Sequence, residues 1–240
     1  MKIIAATQKG INKTENEDRI IVGKSIIATG MFNTEIADGI LAIADGVGGN
    51  NAGSTASHFV ANKICTLNDI TLEQMQKINS DLLTLSEESE YNNGMATTLS
   101  GIFFSSDATQ LFSVGNTRVY LLLSSKYLKQ LTTDDTTLNY LLATGQLSPE
   151  DGKKYDRKNE ITACFGGGNS KLFKINISTS ESLASPIMIT SDGIHDYLTV
   201  DQMEDIISEY GITEKTCAEM INAARKEGSC DDASILIGGD

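Results

Sequence analysis

Ile40-Leu41-Ala42-Ile43-Ala44-Asp45-Gly46-Val47-Gly48-Gly49 reads as a strand that runs into a carboxylate and then into a glycine turn. Glycine beside an acidic residue lets a backbone carbonyl and a side-chain carboxylate approach the same ion, a donor set that suits a hard divalent cation. Taken alone, Asp-Gly-x-Gly-Gly is better explained as a plain turn. The arrangement recurs, however. Pro186-Ile187-Met188-Ile189-Thr190 ends in Ser191-Asp192-Gly193, Asp231-Asp232 stands immediately before the apolar run 233–237, and Glu17-Asp18 stands immediately before 19–22. Acidic residues are disfavoured in strands and common in loops, so one such flank means little; four together form a candidate cation site.

Short runs rich in β-branched and aromatic residues predict strands over 3–7, 19–22, 40–44, 98–104, 110–114, 118–123, 172–177, 186–190 and 233–237. Ser105-Ser106-Asp107 and Gly115-Asn116-Thr117 are tight polar turns between such runs, and they predict antiparallel hairpins rather than βαβ crossovers. Apolar residues recurring at three and four predict helices over 54–67 and 72–86, then over 136–144, over 201–209 with Thr199 as N-cap, and over 214–226, closed by Gly228. Helices grouped in this way, with meandering strands between them, indicate an α+β domain of sheet packed on sheet with helices outside. The stretch 147–169 is poor in apolar residues and contains Gly166-Gly167-Gly168, so it reads as a surface flap with a glycine hinge.

Composition narrows the function. A chain of 240 residues, 40% hydrophobic, with two prolines and no repeat, predicts one continuous domain over 1–240. The balance of 32 acidic against 19 basic residues, a net charge of −13, argues against a nucleic-acid partner, whose backbone requires clustered Lys and Arg. The N-terminal apolar run is too short for a secretory segment, and no run approaches the roughly 18 apolar residues of a membrane span, so a cytoplasmic protein with no membrane partner is expected. Cys65, Cys164, Cys217 and Cys230 have no zinc-site spacing and read as reduced thiols.

Asn16-Glu17-Asp18, Ala44-Asp45-Gly46-Val47-Gly48-Gly49, Gly94-Met95-Ala96-Thr97-Thr98, Ser113-Val114-Gly115-Asn116-Thr117-Arg118, Leu131-Thr132-Thr133-Asp134, Thr190-Ser191-Asp192-Gly193-Ile194 and Gly228-Ser229-Cys230-Asp231-Asp232 occur in a distinctive order. In that order, over nearly the whole chain, they resemble the metal-dependent protein serine/threonine phosphatases of type 2C, especially bacterial ones. The resemblance implies a four-layer α-β-β-α sandwich, two antiparallel β-sheets flanked by helix pairs, with two or three Mn²⁺ or Mg²⁺ ions in a cleft at one end. By position, Asp45 resembles the residue that bridges two ions and Gly46 a carbonyl ligand, while Asp192 and Asp231 resemble ligands of one ion of the pair. Glu17 and Asp18 resemble the acidic pair that holds ion-bound water. Asp134 and Asp196, sharing Asp192, stand where ligands of a third ion would be. The activity implied is hydrolysis of phosphoserine and phosphothreonine by a water that the paired ions activate. Phosphorylated proteins and a Ser/Thr kinase are the implied partners.

Some positions depart from the family pattern. Lys13 stands in place of the phosphate-binding arginine, offering a point charge instead of a planar fork. Val47 occupies the place of a histidine found in eukaryotic members, Asp135 that of a common histidine, Tyr155-Asp156 that of a His-Pro pair in the flap, and Asp232 that of an asparagine. Two other readings therefore stay open: a regulatory module that binds phosphorylated partners without turnover, and a metal-dependent phosphodiesterase or nuclease. His58 is expected in packing or at the surface. Arg118 is expected in an ion pair beside its turn, and Gly94-Met95-Ala96-Thr97-Thr98 as a strand entry with no catalytic part.

Overall fold

The computed structural model describes residues 1–48, 52–88, 92–180 and 186–239, so Gly49 of the glycine turn lies outside the described residues. Among the described residues, two six-stranded antiparallel sheets form the centre. The first runs β11 (Tyr127–Gln130), β10 (Arg118–Leu123), β14 (Ile187–Thr190), β15 (Ala233–Gly239), β1 (Lys2–Gln8), β4 (Gly30–Glu35). The second runs β13 (Asn176–Ser180), β9 (Thr109–Val114), β8 (Leu99–Phe104), β5 (Gly39–Ala44), β2 (Arg19–Val22), β3 (Ser25–Ile27). A small third sheet joins β12 (Phe165–Gly166), β7 (Ala96–Thr97) and β6 (Gly46–Val47) at the end where β5 terminates.

The central strands are buried on both faces, which is why they read as unbroken apolar runs instead of alternating ones. In β1, Ile3 and Ala5 enter the core between the sheets, while Ile4 and Ala6 pack outward beneath α6 (Val200–Tyr210) and α7 (Glu214–Lys226). In β5, Leu41 and Ile43 face the opposite sheet, while Ile40, Ala42 and Ala44 pack beneath α1 (Ala52–Ile64) and α2 (Leu72–Glu87). Three apolar layers thus separate four structural ones, the α+β sandwich expected from sequence. The helices begin where their caps dictate: Thr199 accepts from the Gln202 amide at 3.2 Å and Thr71 from the Gln74 amide at 3.3 Å, each in a reciprocal capping box.

Two expectations need correction. Gly115-Asn116-Thr117 does not close a hairpin, because β9 and β10 belong to different sheets; the turn crosses the sandwich at the acidic end. The strand expected over 172–177 begins only at Asn176, where pairing with Ser113 starts, and is preceded by a 3-10 turn over Ser170–Leu172. The flap is less irregular than its composition suggests. It carries α3 (Thr137–Ala143) at its entry and the single turn α4 (Pro149–Gly152), which Ser148 caps and Pro149 opens.

The sandwich depends on contacts between its sheets. Leu41→Ala, which empties a fully buried position of that layer, should cost about 2–5 kcal/mol. Urea unfolding followed by circular dichroism measures it; a loss under about 1 kcal/mol would mean that the layer is not close-packed.

Candidate metal centre

Four chain segments bring carboxylates to the same end of the sandwich. Asp45 follows β5; its amide donates to Thr98 Oγ1 at 3.2 Å, and its carbonyl accepts from the Thr98 amide at 2.8 Å and Thr97 Oγ1 at 2.9 Å. These bonds explain the Gly94 to Thr98 motif as a strand entry that clamps the Asp45 backbone. Asp192 opens the short helix α5 (Asp192–His195) beyond β14, and Asn116 of the crossover turn donates to its Oδ2 at 3.2 Å. Asp231 precedes β15, and Glu17-Asp18 precedes β2. Lys13, Glu17, Asp45, Gly46, Asp192 and Asp231 all line one cavity of about 280 Å³.

Close backbone approach makes this possible. A Cβ on Gly46 would overlap the Gly53 carbonyl, and one on Gly53 would stand 2.7 Å from Glu17 Oε1. The two glycines let the start of α1 press against the strand end that carries Asp45 and Gly46, beneath the Glu17 carboxylate. Arg19 seals the same junction: its guanidinium donates to the carbonyls of Asn16 and Asp18 at 2.6 and 2.8 Å and to Ser54 Oγ of α1 at 2.8 Å.

Asp18 is fully buried, yet only one of its oxygens is satisfied. Oδ2 accepts from Ser234 Oγ at 2.6 Å and Ser191 Oγ at 2.8 Å, while Oδ1 has no partner. Desolvation, reinforced by Asp232 and Asp192, pushes its carboxyl up to about 7 in spite of the two hydroxyls. Asp45 and Asp192 lie within hydrogen-bonding reach of one another. Desolvation first, then neighbouring carboxylates, raises both above the usual carboxylate range. A cluster of carboxylates that resist ionisation together is one that a cation stabilises strongly.

Lys13 meets the cluster at its rim. Its Nζ lies 2.6 Å from Asp231 Oδ1, 2.9 Å from Glu17 Oε2 and 3.0 Å from Asp232 Oδ2. Burial opposes its charge, but the hydrogen bonds it donates to Asp231, Glu17 and Asp232 outweigh that and hold the ammonium above the ordinary lysine value. Asp232 is occupied otherwise than its charge suggested. Besides Lys13, it accepts from the Gly10 amide and the Glu17 amide, each at 2.7 Å, so it clasps the N-terminal loop to the last strand.

The remaining candidates lie apart. Asp134 and Asp196 line a neighbouring cavity of about 870 Å³ beneath the flap, and this cavity shares Asn116 and Asn159 with the smaller one. Both Asp134 oxygens are engaged by Arg118, at 2.6–3.1 Å, with Gln130 adding a bond at 3.0 Å. Arg118 is thus an ion-pair residue, and an ion could take Asp134 only by displacing it. Asp196 stands at the exposed rim, where desolvation and Asp192 push it up to about 7. His195 is buried and hydrogen-bonded to Thr190 Oγ1 at 2.8 Å, and desolvation keeps it neutral. His58 lies exposed on α1.

The donor set fits a hard divalent cation. The cavity lining offers the carboxylates of Glu17, Asp45, Asp192 and Asp231, and the buried Asp18, outside that lining, keeps one oxygen without a protein partner. Among the described residues, no group of three or more acidic, imidazole or thiol side chains is placed so that it could hold a metal ion as it stands. Sequence reasoning missed Arg19 and Asn116; the only local sign of either was an unusual polar residue at a strand entry and in a turn.

No protein-family model matches the chain. The serine/threonine phosphatase stp of Listeria monocytogenes serotype 4b is 28% identical over 247 residues, covering 96% of this chain and 92% of that one. The crystal structure of the Mycobacterium tuberculosis serine/threonine phosphatase PstP/Ppp superposes with a TM-score of 0.80 at 23% identity, covering 99% and 98% of the two chains. The catalytic domain of PstP in complex with two manganese ions superposes with a TM-score of 0.75 at 22% identity over 99% and 98%.

The Asp232 clasp is a stability element separable from the exposed Asp231. Asp232→Ala, which strands two amides and removes one of the three carboxylates around Lys13, should cost about 3 kcal/mol, whereas Asp231→Ala should cost under about 1 kcal/mol. Urea unfolding of both variants without added metal gives the comparison; equal losses would remove the clasp.

Proposed function

We propose that this chain, which belongs to the bacterial type-2C family of protein serine/threonine phosphatases, hydrolyses phosphoserine and phosphothreonine esters at the carboxylate-lined cavity. The observation that carries the assignment to this cavity is its lining: converging carboxylates with one lysine, and no serine, cysteine or histidine among the described residues that line it. The described lining offers no hydroxyl, thiol or imidazole nucleophile, and its carboxylates are assigned here to holding ions, so in this reading water attacks phosphorus as the ester P–O bond breaks.

Asp45, Asp192 and Asp231, with the Gly46 carbonyl, would hold two divalent ions, Mn²⁺ or Mg²⁺. When bound, such ions supply Lewis acidity, lowering the pKa of water towards neutrality and offsetting charge on phosphoryl oxygens. The chain's own residues do the rest. Glu17 accepts hydrogen bonds from water in the cavity and orients it, while Asp18, buried and outside the cavity lining, adds negative charge that acts on Asp45. Asn116 fixes the Asp192 carboxylate through its Oδ2. Lys13, anchored at 2.6–3.0 Å by three carboxylates, presents a positive charge at the rim where a phosphate enters. Asp134 and Asp196 would serve a third ion only with Arg118 withdrawn from Asp134. The biological counterpart is a Ser/Thr kinase whose protein products this enzyme reverses.

Asp45→Asn and Asp192→Asn should each lower turnover of p-nitrophenyl phosphate and of a phosphothreonine peptide by at least about 10²-fold while the proteins still fold. EDTA should abolish wild-type activity and Mn²⁺ restore it. Full activity in either variant would sink the ligand assignment; no turnover by the wild type under any metal would leave the regulatory reading in its place. For Lys13, Lys13→Ala should lower kcat/KM about tenfold while Lys13→Arg retains it, as expected of a positive charge that meets phosphate; an unaffected Lys13→Ala enzyme would take the residue out of phosphate binding.

A further inference from the structure

The chain carries a net charge of −13, yet four of its 19 basic residues fall within six positions of the flap: Lys153, Lys154, Arg157 and Lys158. All four line the 870 Å³ cavity, which shares Asn116 and Asn159 with the carboxylate-lined cavity beside it. A ligand held in the smaller cavity would therefore extend its neighbouring parts into the larger one. The cations there are not equally available. Arg118 is committed to Asp134 at 2.6 Å and Arg157 lies 3.6 Å from Glu160. Lys153, Lys154 and Lys158 are exposed and, among the described residues, form no ion pair. Two acidic side chains of the lining, Asp156 and Asp196, also have no ion-pair partner among the described residues.

A run of lysines is ordinarily a solvated face, and three features separate this one from that explanation. It gathers four of the 19 basic residues into six positions of a chain whose net charge is −13. It lines a cavity large enough for several side chains. The cavity adjoins, across Asn116 and Asn159, the site at which a phosphate is proposed to sit. A phosphoprotein approaching a protein of this charge meets repulsion, and a local basic wall is the physical means of offsetting it. We infer that Lys153, Lys154 and Lys158 form a specificity surface selecting phosphopeptides with acidic residues flanking the phosphorylated residue. The inference deepens the phosphatase reading and rests on it, because the shared Asn116 and Asn159 matter only if the phosphate occupies the smaller cavity.

The test uses the intact chain with Mn²⁺ and fluorescein-labelled peptides carrying a non-hydrolysable phosphonate analogue of phosphothreonine, flanked by acidic, neutral or basic residues. Fluorescence anisotropy should show the acidic peptide binding about tenfold more tightly than the neutral one, the scale of a few exposed charge pairs acting together. That preference should collapse at 0.5 M salt, where the screening length is well below its physiological value of about 8 Å. The variant K153E/K154E/K158E should reverse the preference and K153Q/K154Q/K158Q should erase it; the second guards against a flap disturbed by charge reversal. Equal affinity of the wild type for all three peptides, or a preference retained in both variants, would overturn the inference. Turnover of p-nitrophenyl phosphate, which has no flanking residues, is read separately. Its absence from the wild type defeats the phosphatase reading, whereas turnover without flank preference defeats only the specificity surface.

Discussion

Asp18, Asp45 and Asp192 are carboxylates packed where water screens them poorly, and all three resist ionisation for that reason. Placing like charges together in a protein interior is costly unless hydrogen bonds or a cation offset it. The surrounding structure supplies only part of that offset: two serine hydroxyls on one oxygen of Asp18, one amide on Asp192, and a lysine at the rim. One buried oxygen remains without a partner. A cluster left incompletely satisfied, at the open end of an otherwise tightly packed sandwich, is a site poised for a cation in a way that a fully satisfied polar network is not.

The sandwich is the device that forces this crowding. Strands β5, β14, β15 and β2 carry their acidic residues at the ends that meet at one pole, and three apolar layers fix where those ends lie. The polar ties at that pole join segments far apart in sequence. Asp232 holds the loop of Gly10 and Glu17, Asp18 holds Ser191 and Ser234, and Arg19 holds Ser54. The bonds of Asp18 to Ser191 and Ser234 and of Asp232 to Glu17 form only when both sheets are in place, so the candidate centre is a product of the tertiary fold and not of any one motif. The Gly46 and Gly53 contact works in the same way, since it removes two side chains so that a helix and a strand end can share the space beneath one carboxylate.

What could be read from sequence follows from burial. The central strands β1, β2, β5, β8, β14 and β15 lie between two covered faces, so their apolar runs are long and unambiguous. The edges left weaker marks. Strands β4 and β11 have largely exposed residues and gave no run to recognise, β3 is only three residues long, and β13, the fourth edge, begins four residues later than its apolar neighbours suggest. The crossover at Gly115-Asn116-Thr117 looked like a hairpin because a short polar turn specifies a reversal but not the sheet to which the next strand belongs. The acidic positions of the candidate centre were legible as strand flanks and as parts of ordered motifs. The clasp made by Asp232 and the pairing of Asp134 with Arg118 were not, because both depend on what a side chain meets across the fold.

Charge resolves an apparent conflict in the molecule. A net charge of −13 draws divalent cations towards the acidic pole and at the same time repels the phosphate esters that those ions would act upon. The conflict disappears if attraction for the substrate is local and attraction for the ion is not. Lys13 is fixed within the carboxylate cluster, where its charge is balanced at short range by Glu17, Asp231 and Asp232 and contributes little at a distance. The flap lysines are exposed and unpaired, so their field reaches the solvent over the larger cavity and fades within a screening length. A phosphorylated segment would therefore feel repulsion over most of the surface and attraction only along the wall that leads inward, which couples productive approach to one direction of entry.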